Sequence, residues 1–205
     1  MKISLENTGK RFNREWIFRN VNYTFTSGNS YAITGQNGSG KSTLLQVISG
    51  SLTFNEGSIK YEHNNNEIKT EKIYKKISIT APYLELVEEM NLHEFFAFHH
   101  TLKPLLSSFL ISDIINIIGL EKTSEKQIRY FSSGMKQRVK LAQAIFSDVP
   151  VVLLDEPATN LDAAGIELYR HIVQQYCLDR LLIISSNDFH EYNFCNEVLD
   201  IKHWK

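Results

Sequence analysis

Residues 35–43 follow the apolar run Tyr31-Ala32-Ile33-Thr34 and read Gly35-Gln36-Asn37-Gly38-Ser39-Gly40-Lys41-Ser42-Thr43. The apolar run predicts a buried strand, and the apolar residues after Thr43 recur with the spacing of one helix face. A glycine-rich loop between a strand and a helix can turn successive backbone N–H groups toward one anion, and the helix N-terminus adds partial positive charge. The stretch therefore predicts a phosphate-binding loop in an α/β core.

Two side chains at the end of this loop indicate what kind of phosphate it holds. Lys41 places a positive charge where the β- and γ-phosphates of a nucleotide lie, and the Ser42 hydroxyl suits the Mg²⁺ that bridges them. We therefore expect the chain to bind a nucleoside triphosphate with Mg²⁺. The predicted nucleotide-binding residues of the loop are Gly35, Asn37, Gly38, Ser39, Gly40, Lys41, Ser42 and Thr43.

A second apolar run ends in two carboxylates and reads Val151-Val152-Leu153-Leu154-Asp155-Glu156-Pro157. It is too continuously apolar for a half-exposed strand. A buried parallel strand places the residues at its end on the carboxyl edge of the sheet, where Asp155 can help to hold Mg²⁺. Glu156 is the candidate base that polarises the attacking water. The alternative is an ordinary surface pair of acids, which the phosphate loop makes the weaker interpretation.

A third motif, between the other two, is the start of a helix. It reads Phe131-Ser132-Ser133-Gly134-Met135-Lys136-Gln137-Arg138 and is followed by apolar residues at helical spacing. Ser132 can cap the helix, and Gly134 lets an anion approach its first turn. Two phosphate-binding features with a single lysine loop suggest a nucleotide shared between them.

The order of these motifs resembles that of the ATP-binding-cassette (ABC) ATPases, whose signature Leu-Ser-Gly-Gly-Gln is matched by Phe131 to Met135. The resemblance extends over essentially the whole chain. It implies an α/β fold in one ATP-binding domain of residues 1–205, with a P-loop NTPase-like core, an antiparallel β subdomain and a helical subdomain at about 85–135. It also implies that two cassettes stack head to tail, each ATP lying between the phosphate loop of one and Ser132 and Gly134 of the other.

The resemblance also covers base recognition and the subunit interface. Phe12 falls where the family stacks an aromatic ring on adenine, with Trp16 as a second candidate and an ordinary sheet aromatic as the alternative. Residues 159–162, Thr159-Asn160-Leu161-Asp162, resemble the D-loop that crosses to the partner cassette, and Asp162 can also cap the helix after it.

Three positions depart from the family pattern. Asn187 stands where the family has its switch histidine, and an amide can donate a hydrogen bond to the γ-phosphate but cannot take a proton. Pro82 stands where the Q-loop glutamine is expected and offers no side-chain oxygen to the metal. Ser133 and Met135 are milder changes within the signature. The predicted catalytic residues are Lys41, Glu156 and Asn187, and the predicted metal ligands are Ser42 and Asp155.

Composition is consistent with one soluble cassette. The chain has 205 residues, of which 42% are hydrophobic, and a formal net charge of −1. This length can bury one substantial core, and without a block of basic residues we expect no nucleic-acid partner. No apolar run approaches the ~18 residues that a membrane span requires. Cys177 and Cys195 are isolated thiols, which suit a reducing cytoplasm.

The remaining elements are predicted from periodicity and turn residues. We expect strands near residues 2–6, 21–26 and 58–61, and helices between Asn91 and Ile118 that Pro104 separates and Gly119 ends. After Asp155 we expect a helix near 163–176, a strand at 181–185 and a short helix near 189–195, which would complete the α/β core.

The favoured function is the ATP-binding and ATP-hydrolysing subunit of an ABC membrane transporter. Such a subunit would dimerise with itself or a homologous cassette around MgATP and drive separately encoded transmembrane permease subunits. It would lie in the cytoplasm, held at the cytoplasmic face of the membrane through the permease. The resemblance places the docking surface at about residues 83–98, where Glu85, Glu88 and Glu89 could pair with basic coupling helices or form a solvated acidic face.

The alternative is a nucleotide-gated, weakly hydrolysing module, or an ABC ATPase outside transport. Asn187 and Pro82 permit slow turnover, whereas Glu156 argues against an inactive site. We therefore expect an ATPase whose turnover is slowed by Asn187.

Overall fold

The computed structural model describes residues 1–177 and 179–205, which form two β-sheets and the helices packed on them. The strands are β1 (Lys2–Phe12), β2 (Glu15–Thr26), β3 (Ser30–Thr34), β4 (Glu56–His63), β5 (Asn66–Ile68), β6 (Ile77–Thr80), β7 (Val151–Asp155), β8 (Leu181–Ser185) and β9 (Glu197–Asp200). The α-helices are α1 (Lys41–Ile48), α2 (Leu92–Leu102), α3 (Ile111–Ile117), α4 (Ser133–Ile145), α5 (Ala163–Tyr176) and α6 (Phe189–Tyr192). Turns of 3₁₀ helix cover Thr70–Lys75, Glu121–Thr123, Ile128–Tyr130 and Ile201–Trp204.

The first sheet is antiparallel, with the strand order β2-β1-β4-β5. Its strands are longer than the sequence predicted, because β1 continues to Phe12 and β2 begins at Glu15. The turn between them contains Asn13, whose φ of 54° is a conformation that asparagine tolerates better than most residues. This hairpin places Phe12 at one end of the sheet.

The second sheet is parallel, with the strand order β6-β7-β8-β3-β9. Its register aligns the carboxyl ends of neighbouring strands: Thr80 pairs with Leu154, and Asp155 pairs with Ser185. The edge strand β9 was not predicted. It is four residues long, with charged residues at both ends and an exposed Val198, so it lacks the apolar run that revealed the inner strands.

Two hydrophobic clusters cover the two faces of the parallel sheet. Strands β7 and β8 serve both, because successive side chains point to opposite faces. One cluster joins the sheet to α2, α3, α4 and α5 and takes Val152, Leu154, Leu182 and Ile184. The other joins it to α1 and the antiparallel sheet and takes Val151, Leu153, Leu181 and Ile183. Burial on both faces explains why these strands read as continuous apolar runs.

The predicted helices of the middle segment are confirmed. Helix α2 begins with a capping box formed by Asn91 and Glu94, Pro104 lies between α2 and α3, and Gly119 follows α3 with a φ of 69°. Ser78 of β6 donates its hydroxyl to the carbonyl of Ala144 in α4 at 2.7 Å, which ties this helical layer to the sheet. Among the described residues, no helix has the length and apolar character needed to cross a membrane.

Candidate functional site

The loop between β3 and α1 needs glycine at two tight positions. Gly40, directly before α1, has a φ of 98°, and a Cβ there would lie 2.3 Å from Cγ2 of Ile17. A Cβ on Gly35, whose φ is 147°, would lie 2.8 Å from the Ser39 hydroxyl. Any side chain at either position would clash, so glycine lets the loop curl tightly in front of the helix.

Lys41 lies in the centre of this curl. Its side chain is 4% exposed, and Nζ donates to the carbonyl oxygens of Gly35 at 2.9 Å and Gln36 at 3.3 Å. Ser39 Oγ is buried in the same loop without a hydrogen-bond partner. The ammonium is therefore placed where phosphate oxygens could replace the two carbonyls as its partners.

Three neighbouring strands end in buried polar side chains that lack partners. Thr80 ends β6, Asp155 ends β7 and Ser185 ends β8, and Thr80 Oγ1, Asp155 Oδ1 and Ser185 Oγ are all buried without a hydrogen bond. Buried polar atoms normally have a partner, because leaving one unpaired costs roughly 1–3 kcal/mol. The carboxyl edge of the sheet is therefore built to receive polar groups from outside the chain.

Asp155 and Ser42 together suit a magnesium ion. Asp155 is 1% exposed with one oxygen free, and Ser42 is the second residue of α1, next to the loop. Mg²⁺ prefers oxygen ligands and usually takes only one or two from the protein, completing its shell with phosphates and water. Within the described residues, no group of three His, Cys, Asp or Glu side chains could hold a metal unaided.

Glu156 has an unusual backbone conformation. Its φ is 44°, and it is held there by its N–H, which donates to the carbonyl of Ser185 at 2.8 Å, and by its carbonyl, which accepts from Thr159 N at 3.2 Å. The left-handed backbone conformation costs a residue with a β-carbon roughly 1–2 kcal/mol relative to the right-handed one. Backbone strain of this kind concentrates at functional sites, and here it falls on the residue predicted as the base.

Asn187 reaches the phosphate loop. Its side-chain Nδ2 donates to Oδ1 of Asn37 at 2.8 Å, which joins the segment after β8 to the tip of the loop. Both groups are neutral amides at the exposed surface. The structure thus brings together Lys41, Asp155, Glu156 and Asn187 at one edge of the parallel sheet, and the catalytic role predicted for Asn187 stays a prediction.

Ser132 and Gly134 line a cleft that is separate from the phosphate loop. Ser132 caps α4, its hydroxyl accepting from Met135 N at 3.3 Å, and a Cβ on Gly134 would lie 3.0 Å from the carbonyl oxygen of Asn160. The cleft has a volume of about 530 Å³, and no residue of the phosphate loop lines it. Within one chain, the two predicted phosphate-binding features therefore do not meet.

The segment after Glu156 connects these two places. Gln137 of α4 is buried and donates to the carbonyl of Pro157 at 2.7 Å. Asp162 caps α5, as predicted, by accepting from Gly165 N at 2.8 Å. Helix α4 is thus joined to the segment after β7 by a buried hydrogen bond.

The two aromatic residues that could stack on adenine differ in how exposed their rings are. Phe12 is 47% exposed, and its main polar neighbour is Lys10 Nζ, 4.9 Å from the ring centre. Trp16 is half-buried, with the guanidinium groups of Arg19 and Arg11 at 4.6 and 5.5 Å from its ring. Phe12 therefore offers the more accessible face for stacking.

Sequence reasoning missed Glu191, in the short helix α6. It is 5% exposed, Oε1 accepts from Ala158 N at 2.7 Å, and Oε2 is buried without a partner. Burial raises the pKa of Glu191 from an ordinary 4.5 to about 7, and the nearby carboxylates of Asp188 and Glu156 add to the rise. No motif marked this residue, because its burial comes from contact with a segment more than thirty residues away.

Comparison with known families agrees with this geometry. A family model described as ABC transporter matches residues 18–159. The chain is similar to the ABC transporter ATP-binding protein YybJ of Bacillus subtilis (strain 168), with 33% identity over 98% of this chain and 93% of YybJ. It is also similar to the lantibiotic transport ATP-binding protein SrtF of Streptococcus pyogenes, with 27% identity over 90% of this chain and 79% of SrtF.

A solved structure shares the fold. It is a dimeric ATP-binding cassette in a post-hydrolysis state, bound to ADP and Pi, and it matches 97% of this chain and 93% of its own. The TM-score is 0.83 at 20% sequence identity. The predicted architecture of an antiparallel sheet, a parallel sheet and a helical layer is therefore confirmed.

Replacing Glu191 by glutamine should stabilise the protein relative to wild type, and the gain should be larger at pH 8 than at pH 5. With a folded-state pKa near 7 and an ordinary value of 4.5, the stability contributed by this group is fully present below about pH 4.5. It is lost as the pH rises to about 7, by at most roughly 3 kcal/mol. Glutamine retains the acceptor for Ala158 N and carries no charge. Urea unfolding of both proteins at pH 5 and pH 8 measures the difference.

The matched control is Glu167→Gln on the exposed side of α5, which should leave the pH dependence of unfolding unchanged. If Glu191→Gln follows the wild-type pH dependence, burial does not shift the Glu191 titration.

Proposed function

The chain belongs to the ABC transporter family as an ATP-binding protein, and we propose that it is the ATPase subunit that dimerises around MgATP and drives separate transmembrane subunits. The observation that carries this proposal is the buried Asp155 carboxylate, which has an unpartnered oxygen at the same edge of the sheet as the loop that encloses Lys41. A triphosphate with its metal supplies the acceptors and the cation that these two groups lack.

In this proposal each residue of the site has one task. Lys41 exchanges its two carbonyl partners for β- and γ-phosphate oxygens, while backbone N–H groups of residues 35–43 surround the β-phosphate. Phe12 stacks on adenine. Ser42 and Asp155 hold Mg²⁺, which when bound neutralises charge that develops on the phosphates. Glu156 orients and polarises the attacking water.

The separation of the two clefts supports a dimer. Ser132 and Gly134 are not beside the phosphate loop of their own chain, so their helix N-terminus can meet a triphosphate only across an interface with a second cassette. The shared fold with a dimeric ADP-bound cassette is in line with this arrangement. ATP would then join two copies, and loss of the γ-phosphate would release them.

The segment after β6 is the proposed contact with the membrane subunits. Leu84, Val87 and Phe98 are exposed there, each by more than a third. The acidic face is smaller than expected, because Glu88 pairs with Lys136 at 2.5 Å and Glu89 with Arg129 at 3.8 Å. Exposed apolar side chains beside ion pairs are consistent with a protein contact, and this contact would hold the chain at the cytoplasmic face of the membrane.

We expect Asn187 to make ATP hydrolysis slow. Asn187 bonds to Asn37 at the tip of the phosphate loop, which places it close to a bound phosphate. Because its side chain is an amide, it can contact the γ-phosphate only as a neutral donor. A charged imidazolium would make a hydrogen bond roughly twice as strong. The relatives of this chain do not favour the alternative, a cassette that hydrolyses little ATP. The presence of Glu156 also argues against that alternative.

The ATPase rate should rise more steeply than linearly with protein concentration, because a complete site needs two chains. In Glu156→Gln we expect the rate to fall by about 100-fold or more, the usual contribution of a general base, while ATP still binds. Steady-state phosphate release over a range of protein concentrations measures both effects. Glu167→Gln is the control for loss of one carboxylate. Strictly linear rates, or full activity in Glu156→Gln, would contradict the proposal.

Asn187→His should increase kcat by about tenfold, since the stronger hydrogen bond would stabilise the transition state by about 1.4 kcal/mol. The change is measured as kcat at saturating MgATP and neutral pH. Asn193→His, at an exposed position after α6, controls for the added imidazole. An unchanged or lower kcat in Asn187→His would mean that Asn187 does not limit turnover.

A further inference from the structure

Tyr83 reaches from the loop after β6 to helix α1. Its phenol oxygen accepts a hydrogen bond from Nε2 of Gln46 at 2.8 Å, although the two residues are 37 positions apart. Tyr83 is 52% exposed, so it is not part of the core. A half-exposed aromatic residue held in place by a polar contact is available to a ligand.

The contact with Gln46 puts the phenol close to the metal side of the site. Gln46 lies four residues after Ser42 on α1, on the same helix face and about one turn, or 5.4 Å, away. Helix α1 packs against β7 and β8, and β7 ends at Asp155. The Asp155 carboxylate is near enough to contribute to raising the pKa of Tyr83, after the larger effect of desolvation.

The phenol proton is free. Gln46 is the donor in the hydrogen bond with Tyr83, so the proton on the phenol oxygen takes no part in it, and the described residues contain no acceptor bonded to it. A phenol is protonated at neutral pH, and desolvation raises the pKa of Tyr83 further. Tyr83 is therefore a hydrogen-bond donor pointed at no protein partner.

The strand order shows which part of a nucleotide this donor would meet. The phosphate loop follows β3, and the sheet continues from β3 to β8, β7 and β6. Asp155, at the end of β7, and Ser42 are the proposed ligands of the Mg²⁺ that bridges the β- and γ-phosphates. The terminal phosphate of a bound triphosphate would therefore be the group nearest the loop after β6. Tyr83 approaches from that side.

We propose that Tyr83 donates its phenol proton to an oxygen of the γ-phosphate, from the loop in which Pro82 offers no polar side chain. This inference rests on the proposed function, since it needs ATP in the site. It makes Tyr83 a substrate-contacting residue that distinguishes ATP from ADP.

The same loop would pass this contact to the signature helix. The carbonyl oxygen of Pro82, adjacent to Tyr83, accepts from Nζ of Lys140 in α4 at 3.1 Å. Ser132 caps the start of the same helix. A hydrogen bond to the γ-phosphate would therefore fix Tyr83 and Pro82, and through Lys140 the helix that faces the partner cassette.

Tyr83→Phe tests the proposal, because it removes only the hydroxyl. We expect the affinity for a non-hydrolysable ATP analogue, adenylyl imidodiphosphate, to fall by about tenfold or more, the usual loss for a hydrogen bond to a charged group. The affinity for ADP should be unchanged. Both are measured by equilibrium titration with Mg²⁺ present. Gln46→Met, which removes the amide that orients the phenol, should cause a smaller loss for the analogue alone, and the two changes combined should not add.

Tyr74→Phe is the matched control. Tyr74 is 61% exposed and lies in the 3₁₀ turn before β6, and its replacement should change neither affinity. If Tyr83→Phe binds the analogue as wild type does, or loses affinity for both nucleotides equally, the role of Tyr83 is wrong while the proposed function stands. If the wild-type chain binds neither nucleotide, both proposals fail.

Discussion

The structure depends on the register of the parallel sheet, which brings Thr80, Asp155 and Ser185 to one edge beside the curled loop around Lys41. Hydrophobic clusters on both faces hold this register, because a slip of one residue along β7 would exchange Val151 and Leu153 with Val152 and Leu154. The core therefore stabilises a position in which polar atoms are buried without partners. Such an arrangement costs stability in the isolated chain, and a bound triphosphate and metal would offset that cost.

The hydrogen bonds that leave this edge link it to the rest of the molecule. Gln137 bonds to Pro157, and Lys140 bonds to Pro82, so α4 holds the segments after both β7 and β6. Glu191 bonds to Ala158 from the segment after β8. Each connection joins a segment that follows a strand of the parallel sheet to a helix, α4 or α6. A change in what the edge binds can thus move the helical layer, which is how a nucleotide would control contacts with a second cassette or a membrane subunit.

Much of this arrangement could be predicted from the sequence, because its signals are local. The phosphate loop has its glycines and lysine in one run, the buried strands are continuous apolar segments, and Ser132 and Asp162 precede their helices as caps do. The strand β9 gave no such signal, since it is short and partly exposed. The left-handed backbone of Glu156 could not be foreseen either, because it is imposed by a bond to Ser185 on the neighbouring strand.

The contacts of the loop segments escaped prediction for the same reason. Tyr83 and Gln46, or Glu191 and Ala158, become neighbours only when the sheet has assembled. The absence of the expected glutamine at Pro82 was visible in the sequence, but the hydrogen bond between Tyr83 and Gln46 was not. Departures from a family pattern are thus found in the sequence, whereas contacts between distant segments are found only in the folded chain.

The central claim is that one MgATP is held between the loop around Lys41 in one chain and the Ser132 helix of another. A crystal structure of Glu156→Gln grown with MgATP tests it most directly. The account predicts two copies around two nucleotides. The Lys41 ammonium should be on the phosphates instead of the carbonyls of Gly35 and Gln36, the metal beside Ser42 and Asp155, and Ser132 of the partner copy against the triphosphate. ATP bound with Ser132 facing solvent, or bound away from the loop, would contradict it.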